Sequence, residues 1–226
     1  YIKLIYVEQP SKILLYTIKP NIFVSIASLF SLKKIDIYNF ITGIGNTYFE
    51  SKLKKKIIFY LYKIAFLKST KVIFQNQEDL NFFITNKIIN KKKCLLIPGS
   101  GIDCEKFKFQ IIKRKNQENF NFLCISRLIQ HKGIEEFIRA SKSIKHEFEN
   151  VSFTLIGSFD NEYSKQIDIN LLNDFKNLFT YKEYTDDVAK FINLCDCFVL
   201  PSYREGTSRA LLEAAATGRP IVTTDV

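Results

Sequence analysis

Phe120-Asn121-Phe122-Leu123-Cys124-Ile125-Ser126-Arg127-Leu128-Ile129-Gln130-His131-Lys132-Gly133-Ile134 is the stretch on which the fold turns. Six strand-like residues run into a polar loop, and an apolar helical period begins after Gly133. Ile134, Phe137, Ile138, Ser141, Ile144 and Phe148 then fall on one helical face, which predicts a helix packed on a sheet. The pattern repeats downstream. Val151 to Ile156 is a strand ending at Gly157, a helix is expected between Glu162 and Phe175, and another strand lies at Thr180. Asp187 to Leu194 reads as a short helix with Asp186 as its cap. Cys197 to Leu200 is a strand ending at Pro201, Arg209 to Thr217 is an Ala/Leu helix stopped by Gly218, and Ile221 to Thr223 is the next strand.

Upstream the same alternation is shorter. Tyr1 to Val7 reads as a strand or the end of a helix, and Ile13 to Tyr16 as a strand. Pro20 to Ser31 reads as a helix, and Ile37 to Ile41 as a strand before the turn Thr42-Gly43-Ile44-Gly45-Asn46. Ser51 to Leu67 is a lysine-rich helix, Lys71 to Gln75 a strand, Glu78 to Asn86 a helix and Cys94 to Ile97 a strand. Residues 102 to 118 carry many lysines and no apolar period, which suits a connection. Strands alternating with helices imply a parallel sheet covered on both faces. The expected organisation is an amino-terminal α/β domain over 1–107, a linker over 108–118 and a second α/β domain over 119–226. Both ends read as cut, so both domains are expected to be partial.

Composition bounds the function. The 226 residues are 46% hydrophobic and carry a formal charge of +10, enough for a real core and attractive to anionic partners. Charge alone leaves nucleic acid, acidic lipid and phosphorylated small molecules open. The five cysteines, Cys94, Cys104, Cys124, Cys195 and Cys197, do not fit a small disulfide framework. Cys195 and Cys197 lack further ligands at zinc spacing, so reduced, packed thiols are expected and no metal. The near-continuous apolar run Ile57 to Leu67 is well short of the roughly 20 residues a spanning helix needs.

In open parallel sheets, ligands bind beyond the carboxyl ends of the strands. Beyond Ile125 the loop carries Arg127 and Lys132, just before a helix start. Two cations beside free helical N–H groups suit a diphosphate; two solvated basic residues are the plain alternative. Beyond Leu200 comes Pro201-Ser202-Tyr203-Arg204-Glu205-Gly206-Thr207-Ser208-Arg209, then a helix carrying Glu213. A carboxylate accepts hydrogen bonds from two vicinal hydroxyls, so Glu205 and Glu213 could reach the hydroxyls of a hexose and a ribose. Gly206 permits close backbone approach, and the N–H groups of Thr207, Ser208 and Arg209 open a helix where a phosphate can sit. An ordinary surface glutamate before a packed helix remains the alternative. Together, cations at one tip and carboxylates at another describe a nucleotide-sugar.

Arg127-Leu128 with Lys132-Gly133, Pro201-Ser202-Tyr203-Arg204-Glu205-Gly206, Leu212-Glu213-Ala214 and the tail Gly218 to Val226 resemble the retaining glycosyltransferases of family 4. Glu205 and Glu213 match that family's paired-glutamate motif. Tyr16-Thr17-Ile18-Lys19-Pro20-Asn21, Ile41 to Gly45, Phe74 to Asp79 and Pro98 to Asp103 resemble its bacterial branch acting on undecaprenyl-diphosphate-linked glycans. The resemblance implies the GT-B architecture of two Rossmann-like domains facing across a cleft. It implies transfer of a hexose or N-acetylhexosamine from a nucleotide-sugar, with UDP the expected carrier, to a lipid-linked or other saccharide acceptor. Arg127 and Lys132 would stabilise the leaving diphosphate, Glu205 would contact the donor sugar, Glu213 would hold the ribose, and Tyr181 would lie beside the base. No cofactor or metal is then expected. Many relatives carry a histidine near the donor sugar in the amino-terminal domain; His131 and His146 occupy other places.

The resemblance further implies a cytoplasmic enzyme, with peripheral contact to the anionic inner face of the cytoplasmic membrane as an additional expectation. The helix at Ser51 to Leu67 could supply it. Its apolar residues cover so much of the circumference that a core helix with a solvated lysine-rich first turn is the favoured reading. The competing functions are another GT-B activity, such as nucleotide-sugar epimerisation, and a basic nucleic-acid-binding module. The second has the charge in its favour but no recognisable binding motif.

Overall fold

A computed structural model of the chain describes residues 1–44, 51–111, 119–160, 167–174 and 177–226. The chain forms two compact units, Tyr1–Ser100 and Gly101–Val226. Each is built on a parallel sheet.

Unit 1 has the strands β1 (Lys12–Tyr16), β2 (Asp36–Ile41), β3 (Lys71–Phe74) and β4 (Cys94–Leu96), paired in chain order β1-β2-β3-β4. Its helices are α1 (Ile2–Glu8), α2 (Ile18–Ser28), α3 (Lys52–Ala65) and α4 (Gln77–Thr85). The opening segment, expected as a strand or a helix end, is therefore a helix. Phe83 of α4 is the hub of the core, 1% exposed and ringed by Phe59, Tyr62, Phe66, Phe74 and Phe82. The start of α4 is doubly fixed. Asn76 accepts from the Asp79 N–H at 2.7 Å, and the buried Asp79 carboxylate accepts from the Ile44 N–H at 3.2 Å. A polar knot lies within the apolar packing. The Asn39 side chain donates to Asn21 Oδ1 at 3.0 Å and Ser25 Oγ at 2.9 Å, and accepts from Ser69 Oγ at 2.7 Å. Asn21 in turn donates to the Phe40 carbonyl at 2.8 Å. Each buried amide is thus satisfied, the condition under which burying polar groups is tolerable.

Unit 2 has β5 (Phe120–Ile125), β6 (Val151–Ile156), β7 (Thr180–Lys182), β8 (Cys197–Leu200) and β9 (Ile221–Thr223), with α5 (Ile134–Glu147), α6 (Ile169–Asp174), α7 (Val188–Leu194) and α8 (Arg209–Ala216). Its spatial order is β7-β6-β5-β8-β9, all parallel. The sheet is covered on both faces, as the near-continuous apolar strands require. Cys124, Leu155 and Phe153 pack with Ile134, Phe137 and Ile138 of α5. Leu123, Ile156, Phe198 and Leu200 face the other way, against Ala189 and Ile192 of α7 and Ala214 of α8. Asp196 sets the register of β8 on β5: its carboxylate accepts from the Asn121 N–H at 2.7 Å, and its own N–H donates to the Asn121 carbonyl at 2.9 Å.

Three expectations are revised. Residues 101–107, expected in the first domain, belong to unit 2, because Phe107 is 4% exposed in the α7–α8 core. The part of the expected linker that is described, residues 108–111, also lies in unit 2: Gln110 accepts from the Arg219 guanidinium at 2.8 Å. The cap of α7 is Asp187, accepting from the Lys190 N–H at 3.0 Å, rather than Asp186. Of the helix expected over 162–175, Ile169–Asp174 is helical, while residues 161–166 and 175–176 lie outside the described residues. Gly45 and Asn46 of the expected turn also lie outside them. The five cysteines are free thiols, with Cys124, Cys195 and Cys197 buried. Burial pushes the Cys124 thiol up to about 12. Among the described residues no group of three or more His, Cys, Asp or Glu side chains could hold a metal ion.

Candidate functional site

The strand order of unit 2 decides where a ligand can sit. From β5 the chain moves outward through β6 and β7, then returns to place β8 on the other side of β5. The reversal falls between β5 and β8. Helices leave such neighbours toward opposite faces, opening a crevice at the carboxyl ends of the strands. The loop after β5 carries Arg127 and Lys132, and the loop after β8 carries Glu205. The two loops expected to bind opposite ends of one ligand are thus adjacent across the switch point.

They also touch. Lys132 Nζ donates to Glu205 Oε1 at 2.6 Å, with side chains only 15% and 13% exposed. Ser202 Oγ donates to the same carboxylate oxygen at 2.6 Å. The backbones are locked together as well. The Tyr203 N–H donates to the His131 carbonyl at 2.9 Å, and the Tyr203 hydroxyl donates to Glu136 on α5 at 2.5 Å. Gly133, at φ +69°, ends the Lys132 turn in the left-handed region and lies directly on Pro201; a Cβ there would run into the Pro201 carbonyl. Glycine is needed at this point for both reasons.

Arg127 is more exposed. Its guanidinium donates to the Asp160 carboxylate at 2.8 Å, beyond the end of β6. Gly157 stands tight against Ser126, where a Cβ would meet the Ser126 carbonyl. Burial lowers the pKa of His131, the positive charges of Lys132 and Arg127 lower it further, and Glu205 acts against them. All four ionisable groups therefore share one electrostatic neighbourhood.

Glu213 lies on the inner side of α8, 9% exposed, 3.6 Å from the Arg209 guanidinium. Burial raises its pKa, against the lowering charges of Arg209 and Lys106. Ser208 caps α8, its hydroxyl accepting from the Leu211 N–H at 3.5 Å. Gly206 and Thr207 complete the loop between Glu205 and this cap. Tyr181 sits on β7, and its hydroxyl donates to the Gly157 carbonyl at 3.0 Å. Two residues that now matter were given no role by sequence reasoning. Ser202 was part of the quoted motif, three residues before Glu205, and its burial singles it out only in three dimensions. Asp160 stands four residues past the end of β6, at a strand tip where ligand groups were expected, but its partner comes from another loop.

A family model described as glycosyl transferases group 1 matches residues 105–226. The chain belongs to this family. Over 199 residues it is 30% identical to an N,N'-diacetylbacillosaminyl-diphospho-undecaprenol alpha-1,3-N-acetylgalactosaminyltransferase of Campylobacter jejuni, covering 82% of the chain and 51% of that relative. Over 235 residues it is 27% identical to the capsular polysaccharide biosynthesis glycosyltransferase CapM of Staphylococcus aureus, covering 100% of the chain and 61% of the relative. A UDP-Gal:alpha-D-GlcNAc-diphosphoundecaprenol alpha-1,3-galactosyltransferase of Escherichia coli is 29% identical over 195 residues, 79% of the chain and 49% of the relative. The chain thus spans about half to three-fifths of these relatives' length.

Solved structures of glycosyltransferases share the fold. Anabaena HepE in complex with UDP and glucose matches with a TM-score of 0.72 at 16% identity, over 94% of the chain and 59% of HepE. Sucrose-phosphate synthase from Thermosynechococcus elongatus matches with a TM-score of 0.78 at 15% identity, over 100% of the chain and 59% of that structure. These matches bear out the two-sheet GT-B fold expected from the sequence, and the family model and relatives bear out the resemblance to bacterial glycosyltransferases.

Proposed function

We propose that the chain is part of a retaining hexosyl- or N-acetylhexosaminyltransferase. It would move the sugar of a nucleotide-sugar, with UDP as carrier, to a lipid-linked or other saccharide acceptor in cell-surface polysaccharide synthesis. The observation that carries this is the Lys132–Glu205 contact across the β5/β8 switch point, which brings a cation suited to phosphate beside a carboxylate suited to sugar hydroxyls. Two of the relatives named above act, by their names, on diphospho-undecaprenol-linked sugars, and the third is named for capsular polysaccharide biosynthesis, which supports the acceptor class.

In the proposed reaction the bond between the anomeric carbon and the β-phosphate oxygen breaks as an acceptor hydroxyl attacks from the same face. The hydroxyl proton passes to the departing phosphate, and the diphosphate leaves carrying the electron pair. Charge grows on that phosphate, so Lys132 and Arg127, fixed before the reaction begins, lower the barrier. Glu205 would accept hydrogen bonds from the donor sugar and Glu213 from the ribose. Gly206, Thr207, Ser208 and Arg209 would present the helix start to the diphosphate, and Tyr181 would lie beside the base. We place this chemistry on the cytoplasmic side, in peripheral contact with anionic membrane and without a nucleic-acid partner.

The test is transfer of radiolabelled sugar from UDP-sugars to an undecaprenyl-diphosphate-linked acceptor. Labelled lipid product with an unchanged anomeric configuration is expected. Epimerised nucleotide-sugar with no lipid product would overturn the assignment.

A further inference from the structure

Both cations of the β5 loop are held by carboxylates from other loops: Lys132 by Glu205 after β8, and Arg127 by Asp160 after β6. Glu205 has a further use, since a sugar offers hydroxyls to it. Asp160 has none of that kind, and its charge has the same sign as a phosphate. The backbone nevertheless builds it in. The β5–β6 pairing continues past the strand ends: the Ser126 N–H donates to the Ile156 carbonyl at 3.0 Å, and the Leu128 N–H to the Ser158 carbonyl at 2.9 Å. Gly157 lies tight on the Ser126 carbonyl between these two bonds. Phe159 packs on the apolar cluster beneath. Asp160 therefore emerges from a fixed stem, 2.8 Å from the Arg127 guanidinium.

The Arg127 and Asp160 side chains keep 46% and 22% of their exposure. A pair so open to water adds little to stability, so the effect of the carboxylate falls on whatever else approaches the arginine. A diphosphate must draw Arg127 away from Asp160 and then stay close to that acid. Like charges at such range repel, and the repulsion grows with the charge on the ligand. In the proposed reaction that charge changes. The β-phosphate of the donor is a diester, while the departing diphosphate ends in a monoester. Once the proton taken from the acceptor is lost to water, the product carries roughly one more negative charge near neutral pH.

We propose that Asp160 is a specificity-determining residue of this site, withholding Arg127 from the ligand and opposing the freed nucleoside diphosphate more than the donor. It trades some donor affinity for release of the product. The proposal rests on the reading of this crevice as a nucleotide-sugar site and adds to it a residue that discriminates the two diphosphates by charge.

Calorimetric titration of the 226-residue chain with UDP and with its β-methyl ester, a diester like the donor, tests it at about pH 8, where UDP holds its extra charge. Asp160→Asn should bind UDP about tenfold more tightly than wild type, and the ester only about threefold. Asp160→Glu keeps the charge and should stay within about twofold of wild type for UDP. A control, Glu147→Gln, removes the same charge from the exposed carboxyl end of α5 and should also stay within about twofold, because solvent screens it from the strand tips. Unchanged or weaker UDP binding by Asp160→Asn, an equal gain for both ligands, or the same gain in the control would overturn the proposal. Each of these outcomes, with wild type still binding UDP, leaves the transferase reading standing. Failure of every one of these proteins to bind UDP would sink both.

Discussion

Lys132 Nζ and Glu205 Oε1 stand 2.6 Å apart although 73 residues separate them along the chain. In this contact the cation and the acid neutralise each other. Under the proposed function, a diphosphate drawing on Lys132 would release Glu205 toward the sugar hydroxyls, so that the two ends of the donor would be recognised in one exchange of partners.

Lys132→Ala should lower kcat by about 10²–10³-fold, the scale for removing one group that stabilises developing charge, with a smaller change in KM. The variant should also lose roughly 1–3 kcal/mol of stability, less than a fully buried pair would, because both side chains keep some solvent contact. Steady-state kinetics with a UDP-sugar decide it, and a rise in KM at unchanged kcat would remove the leaving-group role.

Glu205→Gln should reduce kcat/KM by about 10²-fold while UDP affinity stays level or rises, since Lys132 then loses its competing carboxylate. Calorimetric titration with UDP is the check. A large loss of UDP affinity would contradict the assignment of Glu205 to the sugar.

Gly133→Ala should destabilise the protein by about 2–4 kcal/mol, combining a left-handed backbone with a clash on the Pro201 carbonyl. Because the same contact seats the Lys132 turn against the Glu205 loop, activity should fall further than the folded fraction does. Urea melts and specific activity measured on one preparation separate the two effects.

Glu213→Gln gives a pH signature. The folded carboxyl has a raised pKa, so between the ordinary value of 4.5 and the folded one the native state binds more protons. Its contribution to stability is complete below the ordinary value and is lost as pH rises through the folded value. The variant escapes this loss and should gain on wild type in chemical denaturation as pH is raised from acid to neutral. It should at the same time bind UDP about ten- to a hundredfold more weakly if Glu213 holds the ribose, the range for a hydrogen bond to a charged group.

Asn39→Ala should cost about 3 kcal/mol, because it leaves Ser69, Ser25 and Asn21 short of partners in an apolar interior. Replacement by serine, which keeps one donor and one acceptor, should cost less. Equal stability of wild type and both variants would mean that water replaces the lost contacts.

Strand and helix positions in unit 2 follow from periodicity alone, because Val151–Ile156 and Cys197–Leu200 are short apolar runs closed by Gly157 and Pro201. The order of the strands does not. Nothing local in β8 says that it pairs with β5 rather than β7, yet that choice places Glu205 beside Lys132. The burial of Phe107 is illegible in the sequence for a related reason: it stands between Lys106 and Lys108, and its burial depends on α7 and α8, which come far later in the chain. Ser202 and Asp160 likewise acquire partners only when distant loops converge. Residue types and family motifs indicated Arg127, Lys132, Glu205 and Glu213; the hydrogen bonds that hold Arg127, Lys132 and Glu205 are a product of topology.

The inward-facing thiol of Cys124 lies two residues before the Ser126–Arg127 bend, while Cys104 is open to solvent. A thiol reagent applied to the native protein should therefore modify Cys104 at once and reach Cys124 only when the second sheet opens. The rate of that slow modification is a built-in clock for how often the floor beneath the binding loops comes apart, and slowing of the clock by added UDP would weigh the ligand's grip on that floor without any turnover.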